Sequence, residues 1–159
     1  HRRHRLHAGA GGAARGALLP FLDQQPELLV ISNRDQTKAD ALSVIANQHK
    51  TSLTQVKALA FSELTGLQFD VIVNATSASL RGELPAIPVT VFGHHALAYE
   101  LAYAKGLTPF LRLAQNAGVQ HLADGVGMLA EQAAEAFAWW RGIRPDTREV
   151  IRALTVPLK

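Results

Sequence analysis

The chain has 159 residues, of which 48% are hydrophobic and 18% charged, a length and balance that suit one domain with a core of two or three layers. It contains no cysteine, which excludes disulfides and thiolate metal sites and fits a reducing compartment. The formal net charge is +3, but Arg2, Arg3 and Arg5 supply all of it, so the neutral remainder gives little support for nucleic-acid binding. No apolar run approaches the roughly 20 residues of a membrane span and no signal-peptide pattern is present, so we expect a cytoplasmic protein.

Residues 1–8 are rich in arginine and histidine. A strand that leads into a phosphate-binding turn is normally a run of Val, Ile and Leu, whereas only Leu6 and Ala8 are apolar here. One interpretation is a tag or cloning remnant. The other is a frameshift, because moving the frame of the His and Arg codons by one base yields codons for Ile or Thr and for Val or Ala. Both interpretations put the folded domain at residues 9–159.

Residues 9–16, Gly-Ala-Gly-Gly-Ala-Ala-Arg-Gly, form a glycine-rich turn that leads into an apolar helical run. Gly9 and Gly11 allow a tight turn and a close approach of the backbone to a pyrophosphate, while N–H groups at the start of the helix point toward the anion. Ala14 stands where the dinucleotide-binding fingerprint has its third glycine or alanine. The alternative is an ordinary loop before a helix.

Helical and strand-like segments alternate after this turn. We predict a helix over residues 12–22 that Pro20 bends, followed by a buried strand over 28–32. A second helix is predicted after Asp35, which caps it, because apolar residues recur there at helical spacing. The segments that follow are predicted to be a strand over 56–61, a helical turn over 62–65 and a buried strand over 69–74. Such alternation predicts an α/β fold, with a doubly wound and mostly parallel sheet that carries helices on both faces.

The end of the second strand indicates which dinucleotide would bind. Sites for NAD usually have an acidic residue about 20 positions after the glycine turn, whereas the 2′-phosphate of NADP favours arginine. Asn33 and Arg34 occupy this place, and Lys38 follows one helical turn later. A guanidinium can bind the phosphate bidentately or stack on adenine, so the pattern favours NADP over NAD. The alternative is an ordinary solvated entry to a helix.

Small polar residues, Asn-Ala-Thr-Ser-Ala-Ser, follow the buried strand at 74–79. The carboxyl ends of strands line the ligand crevice in open α/β sheets, and small side chains would let a ribose or nicotinamide lie close to the backbone. An Asx or Ser turn is the alternative. Prolines predict an extended, irregular segment over 82–89. We predict that His94 and His95 lie in a loop and, because adjacent histidines lack ligand-like spacing, that the chain has no metal site.

A C-terminal helix is predicted over residues 127–141. Gln132 would lie beside its apolar face as an amide in need of a hydrogen-bond partner. The pair Trp139-Trp140 near its end favours packing in a core or between domains. The apolar face itself is predicted to comprise five residues: Leu129, Ala133, Ala136, Phe137 and Trp140.

Five motifs in order along the chain resemble the NADP-binding half of shikimate dehydrogenases. The resemblance covers residues 9–151 and implies a Rossmann-like domain. Such enzymes reduce 3-dehydroshikimate to shikimate with NADPH on the way to chorismate and the aromatic amino acids, and they have two α/β domains with the active site between them. The motifs are residues 9–16, Asn33-Arg34 with Lys38, Asn74-Ala-Thr-Ser, Lys105-Gly-Leu-Thr-Pro-Phe-Leu, and Ala123-Asp-Gly-Val-Gly-Met-Leu with Gln132.

The resemblance implies roles for individual residues. Two departures from the family pattern are Asp35, which lies in the 2′-phosphate region where threonine is usual, and Glu100-Leu101, where Asp-Met is frequent. The implied cofactor ligands are Gly9, Ala10, Gly11, Gly12 and Ala13 for the pyrophosphate, Asn33, Arg34 and Lys38 for the 2′-phosphate region, and Thr76, Leu101, Gly125 and Met128 for the nicotinamide side. The substrate would contact Tyr103 and Gln132.

No catalytic residue is assigned. The family's catalytic lysine and its partner aspartate lie in an amino-terminal substrate domain that precedes the glycine turn, and we expect that domain to be absent here. Lys50 and Lys105 do not match the catalytic motif. The isolated chain is therefore expected to be inactive. Two alternatives remain: a non-catalytic dinucleotide-binding sensor, and an NAD-using relative that acts on quinate or shikimate.

We also predict a homo-oligomer. The helix with Trp140 and the segment after Pro145 would expose apolar surface that the missing domain normally covers. Leu6 and Ala8 make a poor central strand, which would leave backbone groups of neighbouring strands unpaired. Self-association through the C-terminal helices or a sheet edge would relieve both defects.

Overall fold

The computed structural model describes residues 4–103 and 106–155. The predicted segments at 12–22, 28–32 and 69–74 are confirmed to within one residue, and the predicted turn at 62–65 is a short 3₁₀ helix at Phe61–Leu64. The strands of the described residues are β1 His4–Ala8, β2 Leu28–Ser32, β3 Gln55–Leu59, β4 Phe69–Asn74, β5 Phe92–Glu100 and β6 His121–Ala123. The α-helices are α1 Gly12–Asp23, α2 Gln36–His49, α3 Pro109–Asn116, α4 Val126–Arg141 and α5 Arg148–Leu154.

The strands form a single parallel sheet in the order β3-β2-β1-β4-β5-β6. The order proceeds outward from β1 to β3 on one side and from β4 to β6 on the other, so the sheet is doubly wound and its direction of winding reverses between β1 and β4. The predicted α/β class with a parallel sheet is confirmed.

Two apolar layers enclose the sheet. On one face, Leu18 of α1 and Leu42 of α2 lie in one cluster with Ile31 and Val73 of the strands. On the other face, Phe110 of α3 belongs to a cluster that includes Leu6, Val30 and Ile72. Helices therefore cover both faces, and the carboxyl ends of the strands meet at one edge, where the connecting loops lie.

Strand β1 lies at the centre of the sheet despite its polar sequence. It pairs with β2 from His4 to Ala8 and with β4 from Arg5 to Ala8. The prediction that this segment leaves the backbone of its neighbours unpaired is therefore wrong. The physical reason is that ladder hydrogen bonds come from the backbone, which every non-proline residue supplies.

The side chains of β1 divide between the two faces. Leu6 and Ala8 are fully buried in the cluster that contains Phe110. On the opposite face, Arg5 donates to the Phe21 carbonyl oxygen at 3.1 Å and its guanidinium carbon lies 5.9 Å from the Phe21 ring centroid. Residues 1–3 lie outside the described residues. The origin of residues 1–8 as a tag, remnant or frameshifted segment stays a prediction.

Strand β5 contains the two histidines that we predicted to lie in a loop. Phe69 of β4 pairs with Phe92, and Val71 pairs with Leu97, so the register shifts between the two pairs. His94 and His95 lie in the extra length of β5, exposed, with their ring centroids 4.6 Å apart. The loop prediction is wrong because an irregularity in a strand disrupts the period-two pattern by which strands are recognised.

Helix α4 buries a different face from the one predicted. Its buried residues are the small side chains of Val126, Ala130 and Ala134, which recur every four positions and allow close packing. Phe137 and Trp140 of the predicted face are exposed instead. The prediction is wrong because α4 is apolar on more than one face, and hydrophobicity alone does not indicate which of these faces packs against the rest of the domain. None of the helices in the described ranges is long and apolar enough to cross a bilayer.

Candidate functional site

A cleft of about 490 Å³ lies at the carboxyl edge of the sheet, where β1 and β4 are neighbours. Open α/β sheets bind their ligands where the strand order reverses, as it does here. The walls come from the turn after β1, the turn after β2 and the loop after β4. Ten of the residues predicted to contact the cofactor line this cleft: Gly9, Ala10, Gly11, Gly12, Ala13, Asn33, Arg34, Asp35, Lys38 and Thr76.

Gly9 allows two walls of the cleft, the turn after β1 and the loop after β4, to lie close together. Its φ is +116°, a value that residues with a Cβ rarely adopt. Its N–H donates to the Ser32 carbonyl oxygen at 2.7 Å. A Cβ at this position would lie 2.7 Å from the carbonyl oxygen of Ala75, so glycine is required where the turn after β1 passes the loop after β4.

The start of α1 provides an anion-binding edge. Gly11 and Gly12 line the cleft, and a Cβ on either would meet nothing within 4 Å. Within residues 9–23, all of them described, no side chain caps α1 and its first turn contains no acidic residue. The first N–H groups of a helix lack intrahelical acceptors and carry the positive end of its dipole. The open space and these donors together fit a phosphate group.

The turn after β2 brings two cations and one carboxylate to the cleft. Arg34 and Lys38 both line it. Asp35 Oδ1 accepts from the Thr37 N–H at 3.1 Å and so caps α2, as predicted, while its Oδ2 lies 3.9 Å from Lys38 Nζ. Both members of this ion pair are more than half exposed, so their attraction contributes little to stability. Arg34 and Lys38 can bind an anionic group, and Asp35 opposes it.

A charged pair on the opposite wall was missed by sequence reasoning. Arg81 donates to Ser77 Oγ at 2.9 Å and to Glu83 Oε2 at 2.8 Å, and both charged residues line the cleft. The hydrogen bond from Arg81 lowers the pKa of Glu83, and the charge of Arg34 acts in the same direction. Arg81 lies just before the irregular segment at 82–89, and Glu83 lies within it. The sequence signal that could have found this pair is two opposite charges separated by two positions.

A buried polar network supports the loop that carries Thr76. Asn74 Oδ1 accepts from the Thr76 N–H at 3.1 Å and from Thr76 Oγ1 at 2.7 Å. Asn74 Nδ2 donates to Glu100 Oε2 at 3.0 Å. The same carboxylate oxygen accepts from Ser79 Oγ at 2.5 Å and from Thr108 Oγ1 at 3.1 Å. Burial raises the pKa of Glu100, and the hydrogen bonds it accepts oppose this shift.

Leu101, Gly125 and Met128 lie together but do not line the cleft. Leu101 is buried in the same apolar cluster as the cleft residue Ala75, and Met128 packs against that cluster. A Cβ on Gly125 would overlap the Leu101 carbonyl oxygen, only 2.0 Å away. The structure therefore brings these three predicted residues to one place beside the Thr76 loop.

The two predicted substrate ligands are on the surface. Tyr103 is 51% exposed, and Gln132 is exposed on α4 rather than sequestered beside a buried face. Neither lines the cleft. Lys105, the first residue of one of the five motifs, lies outside the described residues.

The sequence and the fold were compared with those of known proteins. The family model described as the shikimate 5′-dehydrogenase C-terminal domain matches residues 125–155. A shikimate dehydrogenase (NADP(+)) from Nitrosospira multiformis is 51% identical over 152 residues, which are 96% of this chain and 54% of the relative. The chain thus spans about half the length of the curated relatives it matches.

Two solved structures extend this similarity. An Ael1 enzyme from Pseudomonas putida is 60% identical with a TM-score of 0.88, over 99% of this chain and 56% of that one. A shikimate 5-dehydrogenase from Thermus thermophilus, solved in complex with shikimate, is 28% identical with a TM-score of 0.73, over 94% of this chain and 52% of that one. By sequence and by fold, nearly the whole chain matches the C-terminal half of shikimate dehydrogenases.

Proposed function

We propose that this chain is the NADP-binding half of an enzyme that reduces 3-dehydroshikimate to shikimate with NADPH. One observation carries the proposal. At the point where the strand order reverses, a single cleft joins a glycine turn, an uncapped helix start and the cations Arg34 and Lys38. This combination suits a dinucleotide that bears an additional phosphate. The family's role in chorismate and aromatic amino acid synthesis, and a cytoplasmic location, are parts of the same proposal.

The lining residues divide the cleft into three regions. Residues 9–13 would hold the pyrophosphate through backbone N–H groups. Asn33, Arg34 and Lys38 would hold the adenosine 2′-phosphate, with charge-assisted hydrogen bonds from the guanidinium. Thr76 would lie on the nicotinamide side, supported by Leu101, Gly125 and Met128. When bound, NADPH supplies a hydride to the substrate.

Reduction of a ketone also needs a proton donor close to the developing alkoxide. Among the described residues, the cleft is lined by carboxylates, cations, and small polar and apolar side chains together with larger apolar ones such as Phe61 and Leu80, and none of them has the family's catalytic motif. We propose that the donor, and most of the substrate site, come from the other half of the two-domain enzyme. Tyr103 and Gln132 would then contact the substrate from the surface of this half.

The cofactor proposal is tested by titration. NADPH and NADH are added to the purified 159-residue protein, and binding is followed by nicotinamide fluorescence. NADPH is expected to bind more tightly, and Arg34→Ala to remove most of that preference, because a charge-assisted hydrogen bond contributes about 1.5–3 kcal/mol. Arg112→Ala, which changes an exposed arginine of α3 outside the cleft, is the matched control. Equal affinities for the two cofactors would contradict the choice of NADP and favour the NAD-using quinate or shikimate relative.

An activity assay distinguishes between the two proposals, half of an enzyme and a non-catalytic sensor. The 159-residue protein alone is expected to show no shikimate-dependent reduction of NADP. Addition of the separately produced N-terminal half of the Nitrosospira multiformis relative should restore turnover. Binding of NADPH without turnover in that mixture would favour the sensor, whereas turnover by the 159 residues alone would mean that a donor was overlooked, with Tyr103 the first candidate.

We also propose that the 159-residue protein self-associates through its C-terminal helices. Trp139 and Trp140 are 89% and 80% exposed, and Ile143 after the helix is 70% exposed. Neighbouring apolar side chains of this size are unusual on the surface of a monomer. Because β1 pairs fully with its neighbours, the proposal now depends on this surface and no longer on a defective sheet.

A further inference from the structure

Glu100 is an acidic side chain at the carboxyl end of β5 with no exposed surface. The four groups that hydrogen-bond to it within the described residues are all donors: the Asn74 amide, the Ser79 and Thr108 hydroxyls, and the Ala102 N–H at 3.4 Å. An ionised carboxylate satisfies such a set, because it only accepts hydrogen bonds. None of the three side chains that face Glu100 is charged. Its carboxylate therefore orients polar groups and does not form an ion pair.

The Asn74 amide has two orientations of nearly equal shape, with opposite hydrogen-bonding character. In the structure its NH₂ group faces Glu100 and Ser79, and its oxygen faces Thr76. In the reversed orientation, the NH₂ group would face the Thr76 N–H, and the bond from this N–H would be lost. The carboxylate of Glu100 favours the observed orientation, because an amide oxygen turned toward it would be repelled.

We infer that Glu100 is a positioning residue for cofactor binding: by orienting Asn74, it holds Thr76 in place on the nicotinamide side of the cleft. The inference rests on the proposed function, since it requires the nicotinamide to lie beside Thr76. Glu100 itself does not line the cleft. Glu100 acts through its hydrogen bond with Asn74, which in turn bonds to Thr76. Of these residues, Thr76 lines the cleft.

A competing account is that Glu100 only stabilises the start of α3. Thr108 caps that helix by accepting from the Leu111 N–H at 3.3 Å and donates its own hydrogen to Glu100. If Glu100 acted only on α3, its replacement would change the stability of the protein but would not affect binding of one end of the cofactor more than the other. The test therefore compares a complete cofactor with one that lacks the nicotinamide half.

The test uses Glu100→Gln, which keeps the shape of the side chain but replaces the carboxylate by a neutral amide, so that the charge favouring the observed orientation of Asn74 is lost. Dissociation constants are measured for NADPH and for adenosine 2′,5′-bisphosphate, which contains only the adenosine half. We expect NADPH to bind roughly tenfold more weakly, as for one lost hydrogen bond to a charged group, and the bisphosphate to bind as in the wild type. Thr108→Val is the matched control that removes the bond to α3, and it should leave the ratio of the two constants unchanged.

Thr76→Val then tests the proposed route. If Glu100 acts through Thr76, the double variant should bind NADPH no more weakly than Thr76→Val alone, whereas independent effects would multiply. Equal weakening of both ligands by Glu100→Gln, no weakening of either, or multiplied losses in the double variant would overturn the inference. Failure of the proposed function is distinguishable from failure of this inference alone. If the proposed function is wrong, the wild type itself will bind neither ligand, and the inference is then refuted as well.

A measurement on the wild type keeps the inference testable if Glu100→Gln does not fold. The Thr76 amide and the Asn74 side-chain NH₂ resonances are followed by NMR as the pH is lowered. Both are expected to shift with one midpoint as Glu100 is protonated. A shift of the Leu111 amide without any shift of the Thr76 amide would limit Glu100 to the α3 cap and refute the inference.

Discussion

Replacing His7 by valine should make the protein more resistant to acid. His7 lies in the central strand β1, and its side chain is almost completely buried. Its ring makes an edge-to-face contact with Phe21, with centroids 5.5 Å apart, and neither ring nitrogen has a hydrogen-bond partner in the described structure. Burial lowers the pKa of His7 from 6.5 to about 4, and the nearby Ala14 backbone offsets this only in part.

The sign and the size of the effect follow from this difference. The unfolded chain binds a proton at His7 below pH 6.5, whereas the folded chain does so only below about pH 4. Stability is therefore fully present above the unfolded pKa and is lost as the pH falls from 6.5 to about 4. A difference of about 2.5 pK units corresponds to about 3 kcal/mol. His7→Val should remove this loss, and at neutral pH it should also stabilise the fold by about 1–3 kcal/mol, because two buried nitrogens no longer lack partners.

The assay is urea denaturation followed by far-UV circular dichroism, repeated across the interval from neutral pH to about pH 4. His121→Val is the matched control, because it makes the same change in strand β6 at an exposed position. The wild type and the control should lose stability together as the pH falls, and His7→Val should lose about 3 kcal/mol less. A parallel decline in all three proteins would refute the reasoning and mean that the acid sensitivity arises elsewhere.

Three further experiments test the cleft and the exposed helix. Gly9→Ala should destabilise the fold by roughly 2 kcal/mol or more, because it combines a positive φ with a clash against Ala75, whereas Gly11→Ala should leave the melting temperature unchanged and weaken NADPH binding; equal melting temperatures for the two variants would contradict the assigned roles. Asp35→Thr should keep the helix cap and tighten NADPH binding by a few-fold without affecting NADH, and an unchanged NADPH constant would restrict Asp35 to capping. Trp139→Ser combined with Trp140→Ser should convert an assembly into a monomer in light scattering at tens of micromolar, and a wild type that is already monomeric would refute self-association.

Local signals account for the parts of the site that sequence reasoning predicted correctly. Gly9 was recognised because a tight turn close to another backbone needs a residue without a Cβ, and the structure has both the positive φ and the close Ala75 oxygen. Asp35 was recognised because side-chain oxygens cap helices through a bond two residues away. Strands β2 and β4 were recognised because both of their faces are buried, which requires a continuous apolar run.

The remaining features depend on distant contacts. Strand β1 has a polar sequence, yet the neighbouring strands pair with its backbone and Phe21 accommodates Arg5 and His7. The buried stripe of α4 depends on which surface the rest of the domain presents, and the register shift in β5 depends on β4. Glu100 joined the site only through folding, since its partners Asn74 and Ser79 lie in another strand and the loop that follows it.

By itself, the sequence determined the elements whose structure is governed by neighbours along the chain: the glycine turn, the cap of α2, the buried strands and the positive charge that follows β2. Only the tertiary structure decided that a strand containing Arg5 and His7 lies at the centre of the sheet, and that Glu100 reaches Asn74 from 26 residues away. The reason is physical. Turns and caps are stabilised by bonds within a few residues, whereas strand pairing and buried polar networks gain their energy from partners that only the folded chain brings together.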